Sequence, residues 1–311
     1  MPLVSIALTT YNGEKYLREQ LDSIFRQTVR DFELLICDDC SSDGTWQIVQ
    51  EYAQRFPAIK AVRNPRNVGF KQNFANAVSL CSGDYVAFAD QDDVWTEQHL
   101  ELLLSIIGGK DLACADAELV DEQLRPLHVR MHEVCHISAP FSDTRSLQYF
   151  LFCGHNFVQG TAMLVRRSFL LQHVPMPDLA EFHDYWFALN AALGQGIAYS
   201  FEPVLLYRQH GGNVTEMNTT SLLRRTVTAL RLKKEHRENR QRQIALLEQL
   251  QASLPAADAA PVLQDCLSFL TAWQARRFPY YVWFFFTHYK LMHGTDSWAG
   301  LLPEFVYLLF F

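Results

Sequence analysis

Residues Gly83 to Trp95 read Gly-Asp-Tyr-Val-Ala-Phe-Ala-Asp-Gln-Asp-Asp-Val-Trp, a nearly unbroken apolar run that ends in three carboxylates. Tyr85 to Ala89 follows a Ser82-Gly83 turn, and a short apolar stretch bounded this way is the pattern of a strand buried on both faces. Strands of that kind belong to parallel sheets covered by helices, and their carboxyl ends open onto the ligand crevice. Asp90, Asp92 and Asp93 fall at that end. Carboxylates so crowded repel one another unless a cation or hydrogen-bond donors compensate them. Oxygen ligands suit Mg2+ or Mn2+, which take one or two carboxylates and complete their shell from phosphate and water. The alternative is a solvated acidic turn before a helix, with Asp93 or Thr96 as its N-cap.

The first hundred residues repeat the alternation that such a strand requires. Leu3 to Thr9 reads as a strand, and Leu17, Leu21, Ile24 and Phe25 then share one helical face. Phe32 to Asp38 is a second strand, followed by a Ser41-Ser42-Asp43-Gly44 turn and a helix carrying Trp46, Val49 and Tyr52. A third strand lies near Ile59 to Val62, a helix with Phe70, Phe74 and Val78 follows, and a further helix runs from about Glu97 to Ile107. The chain is therefore α/β, a mostly parallel sheet flanked by helices.

Composition narrows the function. A formal net charge of −7 argues against general nucleic-acid binding. Seven cysteines, without a signal peptide, point to reduced thiols in a cytoplasmic compartment. Cys37 and Cys40 have a zinc-like spacing, but no second Cys or His pair of matching spacing follows. Neither a Gly-x-Gly-x-x-Gly turn after the first strand nor a Gly-Lys-Ser/Thr loop is present, so a dinucleotide site or a P-loop is not expected.

Two further strand ends reach the same crevice: Thr9-Thr10-Tyr11-Asn12 after the first strand and Asp38-Asp39 after the second. An aromatic ring beside an acceptor-only carboxylate suits a flat base with an N–H donor, as uracil and thymine have. The other reading packs Tyr11 and lets Asp39 cap its turn through Ser41 or Ser42. The segments 4–13, 38–45 and 88–95, in that order, resemble the signatures of inverting family 2 glycosyltransferases of the GT-A (Rossmann-like) fold. Asn67-Val68-Gly69-Phe70 and Asn73-Phe74 resemble the family more loosely, and within it the likeness is to bacterial rhamnosyltransferase-like members. The resemblance implies a nucleotide-sugar donor held by Thr9, Tyr11, Asp39 and Asn67, with Asp90 and Asp92 toward a metal-bound diphosphate and Asp92 as the direct ligand. Cys40 departs from it, since the family usually has Gly there.

The middle of the chain supplies an acceptor side. Asn156 to Leu164 reads as a loop running into a strand, which places Gly160 and Thr161 toward an acceptor. His183-Asp184-Tyr185-Trp186 opens a helix, where the dipole favours an ionised carboxylate. The bland alternative is a first-turn charge. By the resemblance Asp184 is the general base, and His183 stands where the family's acidic pair begins with Glu; His183 and Trp186 are expected on the acceptor side. Tyr207-Arg208-Gln209-His210-Gly211-Gly212-Asn213 resembles the segment that closes the catalytic domain. Arg208 is expected to neutralise diphosphate charge and His210 to be a second metal-side ligand.

Beyond residue 215 the chain changes character. Leu222 to Gln243 carries eight Lys and Arg against Glu235 and Glu238, a basic amphipathic stretch of the kind that rests on anionic membranes. A helix is expected from about Val262 to Arg277. Phe278 to Phe286 and Trp298 to Phe311 are rich in aromatics, suited to a membrane interface or an oligomer contact, yet neither reaches the roughly 20 apolar residues of a spanning helix. The expected organisation is a catalytic domain over 1–215, with a nucleotide-sugar half to about 115 and an acceptor half from 116, then a helical C-terminal region over 216–311. The resemblance implies a UDP- or dTDP-linked donor, dTDP-rhamnose or a UDP-hexose among them, and a cell-surface glycan or lipid-linked acceptor. A cytoplasmic enzyme, peripheral on the inner face of the membrane, fits this reading. The alternative is a catalytically inactive sugar-nucleotide-binding or scaffold protein of the same fold, although a scaffold has no need of both Asp92 and Asp184.

Overall fold

The computed structural model describes residues 2–135, 137, 141, 143–211, 233–254 and 260–292. In chain order the elements begin with β1 (Val4–Thr10), α1 (Leu17–Phe25), β2 (Phe32–Asp38), α2 (Thr45–Arg55), β3 (Ile59–Arg63), α3 (Phe70–Ser79) and β4 (Tyr85–Ala89). Then come β5 (Val94–Trp95), α4 (His99–Ile107), β6 (Leu112–Val120), β7 (Pro126–Arg130), α5 (Met131–Val134) and α6 (Thr144–Phe152). A 3₁₀ turn at Gly160–Ala162 leads into β8 (Met163–Arg166), α7 (Arg167–Leu170), α8 (His183–Leu193) and β9 (Ile197–Arg208). The C-terminal helices are α9 (Lys233–Ser253), α10 (Pro261–Gln274) and α11 (Tyr280–Met292).

Among the described residues the strands form one nine-stranded sheet, ordered β3-β2-β1-β4-β8-β6-β9-β5, with β7 paired to β6. The run β3-β2-β1-β4 is parallel throughout. Its register aligns Thr10 with Asp38 and Leu8 with Ala89, so the polar residues following these strands emerge along one end of the sheet. Buried Leu17, Leu21 and Ile24 of α1, with Phe74, Ala77 and Val78 of α3, belong to the core around these strands. Beyond β4 the sheet becomes mixed. β8 runs antiparallel to both β4 and β6, which brings its preceding 3₁₀ turn against the end of β4.

The acidic segment does not run directly into a helix. Val94 and Trp95 form β5, which pairs antiparallel with Leu206 and Leu205 of β9. α4 begins only at His99 with Gln98 at its N-cap, so neither Asp93 nor Thr96 caps it. This pairing partner lies more than a hundred residues downstream, which local periodicity cannot anticipate.

The chain packs as two compact units: residues 1–132, 158–176 and 182–216 contribute to the first, and 133–157, 177–181 and the C-terminal helices to the second. Two segments of the expected acceptor half, 133–157 and 177–181, fall in the second unit, where α6 packs with α10 and α11. There the Tyr149 hydroxyl donates to Asp265 at 2.9 Å, and Phe269 stacks on Phe284 at 4.8 Å. Residues 212–232 and 293–311 lie outside the described residues, and with them Asn213, the first half of the basic stretch and the terminal aromatic segment.

At the end of the sheet away from the acidic segment, the buried Glu33 carboxylate ties three strands together. It accepts from Ser5 Oγ at 2.6 Å, from the Ser82 N–H and hydroxyl at 2.7 Å each, and from Lys60 Nζ at 2.6 Å. Burial opposes its charge, but these donors prevail and pull its pKa down to about 2. A carboxyl whose folded pKa is lowered stabilises the fold above its unfolded value and loses that contribution as pH falls through the folded one. Glu33→Gln is expected to cost about 1–3 kcal/mol near neutrality, with the difference from wild type shrinking between about pH 4.5 and 2. Urea unfolding at both ends of that window checks it.

Candidate active site

The carboxyl ends of β1, β2 and β4, the turn before β8 and the start of α8 enclose a cavity of about 400 Å³. From the first half of the chain, Thr9, Tyr11, Asp39, Asn67, Asp90 and Asp92 line it. From the middle come Gly160, Thr161, His183 and Asp184. Residues far apart in sequence thus meet in one pocket within the first unit.

Asp39 is buried, and its carboxylate organises the loop between β3 and α3. Oδ1 accepts from Asn64 Nδ2 at 2.9 Å and from the Val68 N–H at 2.8 Å; Oδ2 accepts from the Gly69 N–H at 2.9 Å. Gly69 reaches that position with φ of 82°, a left-handed backbone that favours glycine. A carboxylate offers about four acceptor positions, so one remains for an N–H of a ligand. The Asn64 amide also donates to Asn73 Oδ1, and Asn73 donates to the Cys37 carbonyl, a buried amide chain behind Asp39 that sequence reading did not identify. Cys40, next in the chain, has φ of 62°. This explains why glycine suits that place, since a side chain there costs on the order of 1 kcal/mol.

Tyr11 is 48 % exposed and presents its ring to the pocket. Its backbone is held by Gln91: Oε1 accepts from the Tyr11 N–H at 2.8 Å, and Nε2 donates to the Tyr11 carbonyl at 3.0 Å. Gln91, the residue between Asp90 and Asp92, therefore fastens the β1 loop to the β4 loop. Nothing in a single sequence marks that residue, because its partner is 80 positions away.

The acidic end of β4 is electrostatically strained. Asp90 is half-buried and lines the pocket; burial, then the Asp92 and Asp184 carboxylates, push its pKa up to about 7. Asp93 is buried behind it, and burial, then Asp92 and Asp90, raise it well above the usual carboxylate range. Asp93 Oδ1 accepts the Arg208 N–H at 3.2 Å. Thr161 lies near enough to ease Asp93's charge but not in sound hydrogen-bond geometry, leaving Asp93 Oδ2 and Thr161 Oγ1 without partners.

No Lys or Arg among the described residues lines the pocket, against Asp39, Asp90, Asp92 and Asp184. No three His, Cys, Asp or Glu side chains among the described residues are grouped to hold a metal unaided. A divalent ion that shares its shell with a diphosphate needs fewer, and Asp92 fits: its Oδ2 lies 2.9 Å from His210 Nε2. The donor set is suited to Mg2+ or Mn2+.

Three expected residues stand elsewhere. Arg208 does not line the pocket; it is 2 % exposed, and its guanidinium donates to the Asp92 carbonyl at 2.7 Å, the Glu122 carbonyl at 2.6 Å and the Glu19 carboxylate. It holds the acidic turn from behind. Trp186 is likewise outside the cavity lining: α8 is buried on most of its surface, and Trp186 packs in the core, where Nε1 donates to the His173 carbonyl at 2.9 Å. His210 is not a lining residue either, but reaches Asp92 from the side.

Asp184 lies in the first turn of α8, whose N-cap is Phe182. Next to it, His183 packs against Phe74 and Phe88 with ring separations of 4.5 and 5.0 Å, and burial lowers its pKa to about 4. A Cβ at Gly160 would come within 2.7 Å of His183 Nε2, so glycine lets the turn before β8 close over the ring.

A mixed sheet with a parallel N-terminal half, flanked by helices and carrying an acidic crevice at its strand ends, is the architecture of the GT-A fold. The family model for glycosyl transferase family 2 matches residues 5–173, and the chain belongs to that family. An uncharacterized protein of Mycobacterium tuberculosis is 30 % identical over 216 residues, 68 % of this chain and 60 % of the relative, so the match spans about 60 % of that relative's length. A dTDP-rhamnosyl transferase of Shigella flexneri, RfbG, is 25 % identical over 221 residues, 68 % of this chain and 74 % of the relative. Among solved structures, S. aureus TarS 1-349 in complex with UDP-GlcNAc is similar with a TM-score of 0.61, at 19 % identity over 98 % of this chain and 79 % of that one. The mannosyltransferase PcManGT of Pyrobaculum calidifontis, in complex with GDP-Man and Mn2+, has a TM-score of 0.56 at 16 % identity, covering 100 % of this chain and 81 % of that one.

The strained carboxylates predict a stability signature. Asp90 has a folded pKa raised from 3.8 to about 7, so its contribution turns unfavourable as pH climbs through that interval. Asp90→Asn is expected to raise the melting temperature of the ligand-free protein at about pH 8, with the gain fading by about pH 4. A thermal-unfolding series across that range checks it, and a gain that did not depend on pH would contradict the assignment.

Proposed function

We propose that this glycosyltransferase moves a sugar from a UDP- or dTDP-linked donor to a hydroxyl of a cell-surface glycan or lipid-linked acceptor, with inversion and by single displacement. The observation that carries the reading is the four-carboxylate pocket without a lining Lys or Arg among the described residues. An anionic diphosphate enters such a pocket only with a cation, and Asp92, flanked by His210, is the residue set to hold one. Bound there, Mg2+ or Mn2+ offsets the charge that develops on the leaving diphosphate. RfbG's name and the TarS and PcManGT complexes support a nucleotide-sugar donor, and the last also supports a divalent ion.

The protein's own groups have separate tasks in this reading. Tyr11 offers its ring to the base, and Asp39 its remaining acceptor position to a base N–H, which favours uracil or thymine over bases presenting an acceptor there. Thr9 and Asn67 line the same cavity and are assigned to the donor, while Gly160, Thr161 and His183, also lining it, are assigned to the acceptor. Asp184 takes the acceptor proton as the new bond forms on the face opposite the departing diphosphate. No covalent intermediate is required.

The two acidic sites act on different species, so variants separate them. Asp92→Ala is expected to weaken metal-dependent binding of UDP or dTDP and to suppress transfer together. Asp184→Asn keeps the shape and removes the proton acceptor, so nucleotide binding survives while turnover falls about 10²–10⁴-fold. Calorimetry paired with transfer kinetics checks both; near-normal turnover of Asp184→Asn would remove it as the base.

The second unit supports a peripheral membrane location on the cytoplasmic face. No helix among the described residues is long and apolar enough to cross a membrane. Instead Phe278, Tyr280, Trp283 and Phe286 expose their rings at and along α11, with exposed Arg276 and Arg277 immediately before them. Aromatic and basic side chains together suit the headgroup layer of an anionic bilayer. Trp283→Ser with Phe286→Ser is expected to reduce sedimentation of the full chain with phosphatidylglycerol vesicles while leaving its circular dichroism intact. Equal sedimentation of the variant and wild type would contradict the location.

A further inference from the structure

The ring of Tyr16 lies at the start of α1, 9 % exposed and outside the cavity lining. Two residues of the β9 end rest on it: the Arg208 guanidinium at 4.6 Å from the ring centre and the His210 imidazole at 4.9 Å, inclined by 30°. Both then reach Asp92. Arg208 Nε donates to the Asp92 carbonyl at 2.7 Å, while His210 Nε2 meets the Asp92 carboxylate at 2.9 Å. One aromatic ring therefore supports the groups that fix both the backbone and the side chain of the proposed metal ligand.

The cost of this arrangement shows that it is specific. Arg208 is 2 % exposed, and it pairs with the Glu19 carboxylate of α1, whose side chain is 53 % exposed. The Glu122 carbonyl takes Nη1 at 2.6 Å, so the planar fork is used on three separate segments. A lysine reaches only one such point at a time, which is why a fork is needed here. The ring face adds a cation–π contact that is stronger out of water.

We infer that Tyr16, Arg208 and Glu19 are positioning residues that set the affinity of the Asp92–His210 pair for a divalent cation and its nucleoside diphosphate, without touching either. The inference rests on the proposed function and deepens it: the reading assigns the cation to Asp92, and the pedestal determines how tightly it is held. Outer partners of metal ligands typically contribute 10–100-fold in metal affinity.

The test measures Mn2+ affinity by electron paramagnetic resonance of the free ion, with UDP and with dTDP, so that turnover is not the readout. Tyr16→Leu removes the ring face and is expected to weaken Mn2+ binding at least about tenfold. Tyr16→Phe retains the face and restores wild-type affinity. Glu19→Gln, at a half-exposed position that leaves no core cavity, weakens binding in the same direction, which keeps the inference testable if Tyr16→Leu folds poorly. The transfer kinetics of Glu19→Gln should show a raised Mn2+ requirement with turnover recovered at saturating Mn2+. Wild-type Mn2+ affinity in both folded Tyr16→Leu and Glu19→Gln overturns the pedestal. Should Asp92→Ala also keep wild-type affinity, the metal assignment itself fails; should it alone lose affinity, only the pedestal does.

Discussion

Repulsion among carboxylates at the end of β4 is the constraint around which the first unit is arranged. Asp90, Asp92 and Asp184 face one cavity, and Asp93 is buried beneath them. Arg208 is engaged on the back side of the turn, with main-chain carbonyls and Glu19. The front is left anionic. In the proposed function, a pocket with that charge would disfavour a free diphosphate and favour one that arrives with a divalent ion, so the destabilising feature would also be the selective one.

The same economy of contacts links the base side to the acidic side. Gln91 lies between two of the carboxylates yet directs its amide at the Tyr11 backbone, and Asp39 holds Val68 and Gly69. The loops following β1, β2, β3 and β4 are thus cross-braced before any ligand binds. Preorganisation of this sort lowers the conformational cost of binding a donor. Glu33 performs the corresponding bracing at the other end of the strands, away from the chemistry.

Much of this was legible in the residues because it is local. The apolar runs of β1, β2 and β4 and the helical faces of α1 and α3 repeat with the periods that burial imposes, and the polar residues that end the strands converge whenever such strands run parallel. Asp39, Asp90 and Asp92 could be singled out for that reason, whereas Asp184 was read from the start of a helix and from the family resemblance. What was not legible depends on partners distant in the chain. β5 exists only because Val94 and Trp95 meet β9, and α6 joins the C-terminal helices through contacts such as Tyr149–Asp265. Arg208 and Trp186 were read by chemical type as ligand-facing, but a guanidinium and an indole satisfy buried carbonyls equally well, and only packing decides between the two. Gln91 and Tyr16 carried no sign at all, since each acts through a neighbour in space.

A cation bound at Asp92 between the protein and a nucleoside diphosphate is the centre of the proposed function. Anomalous diffraction from crystals grown with Mn2+ and UDP or dTDP measures this most directly. The expected result is one manganese peak within bonding distance of the Asp92 carboxylate and of diphosphate oxygens, with the base against Tyr11 and Asp39. A nucleotide seated in the cavity with no manganese at Asp92, or manganese bound away from the diphosphate, would contradict it.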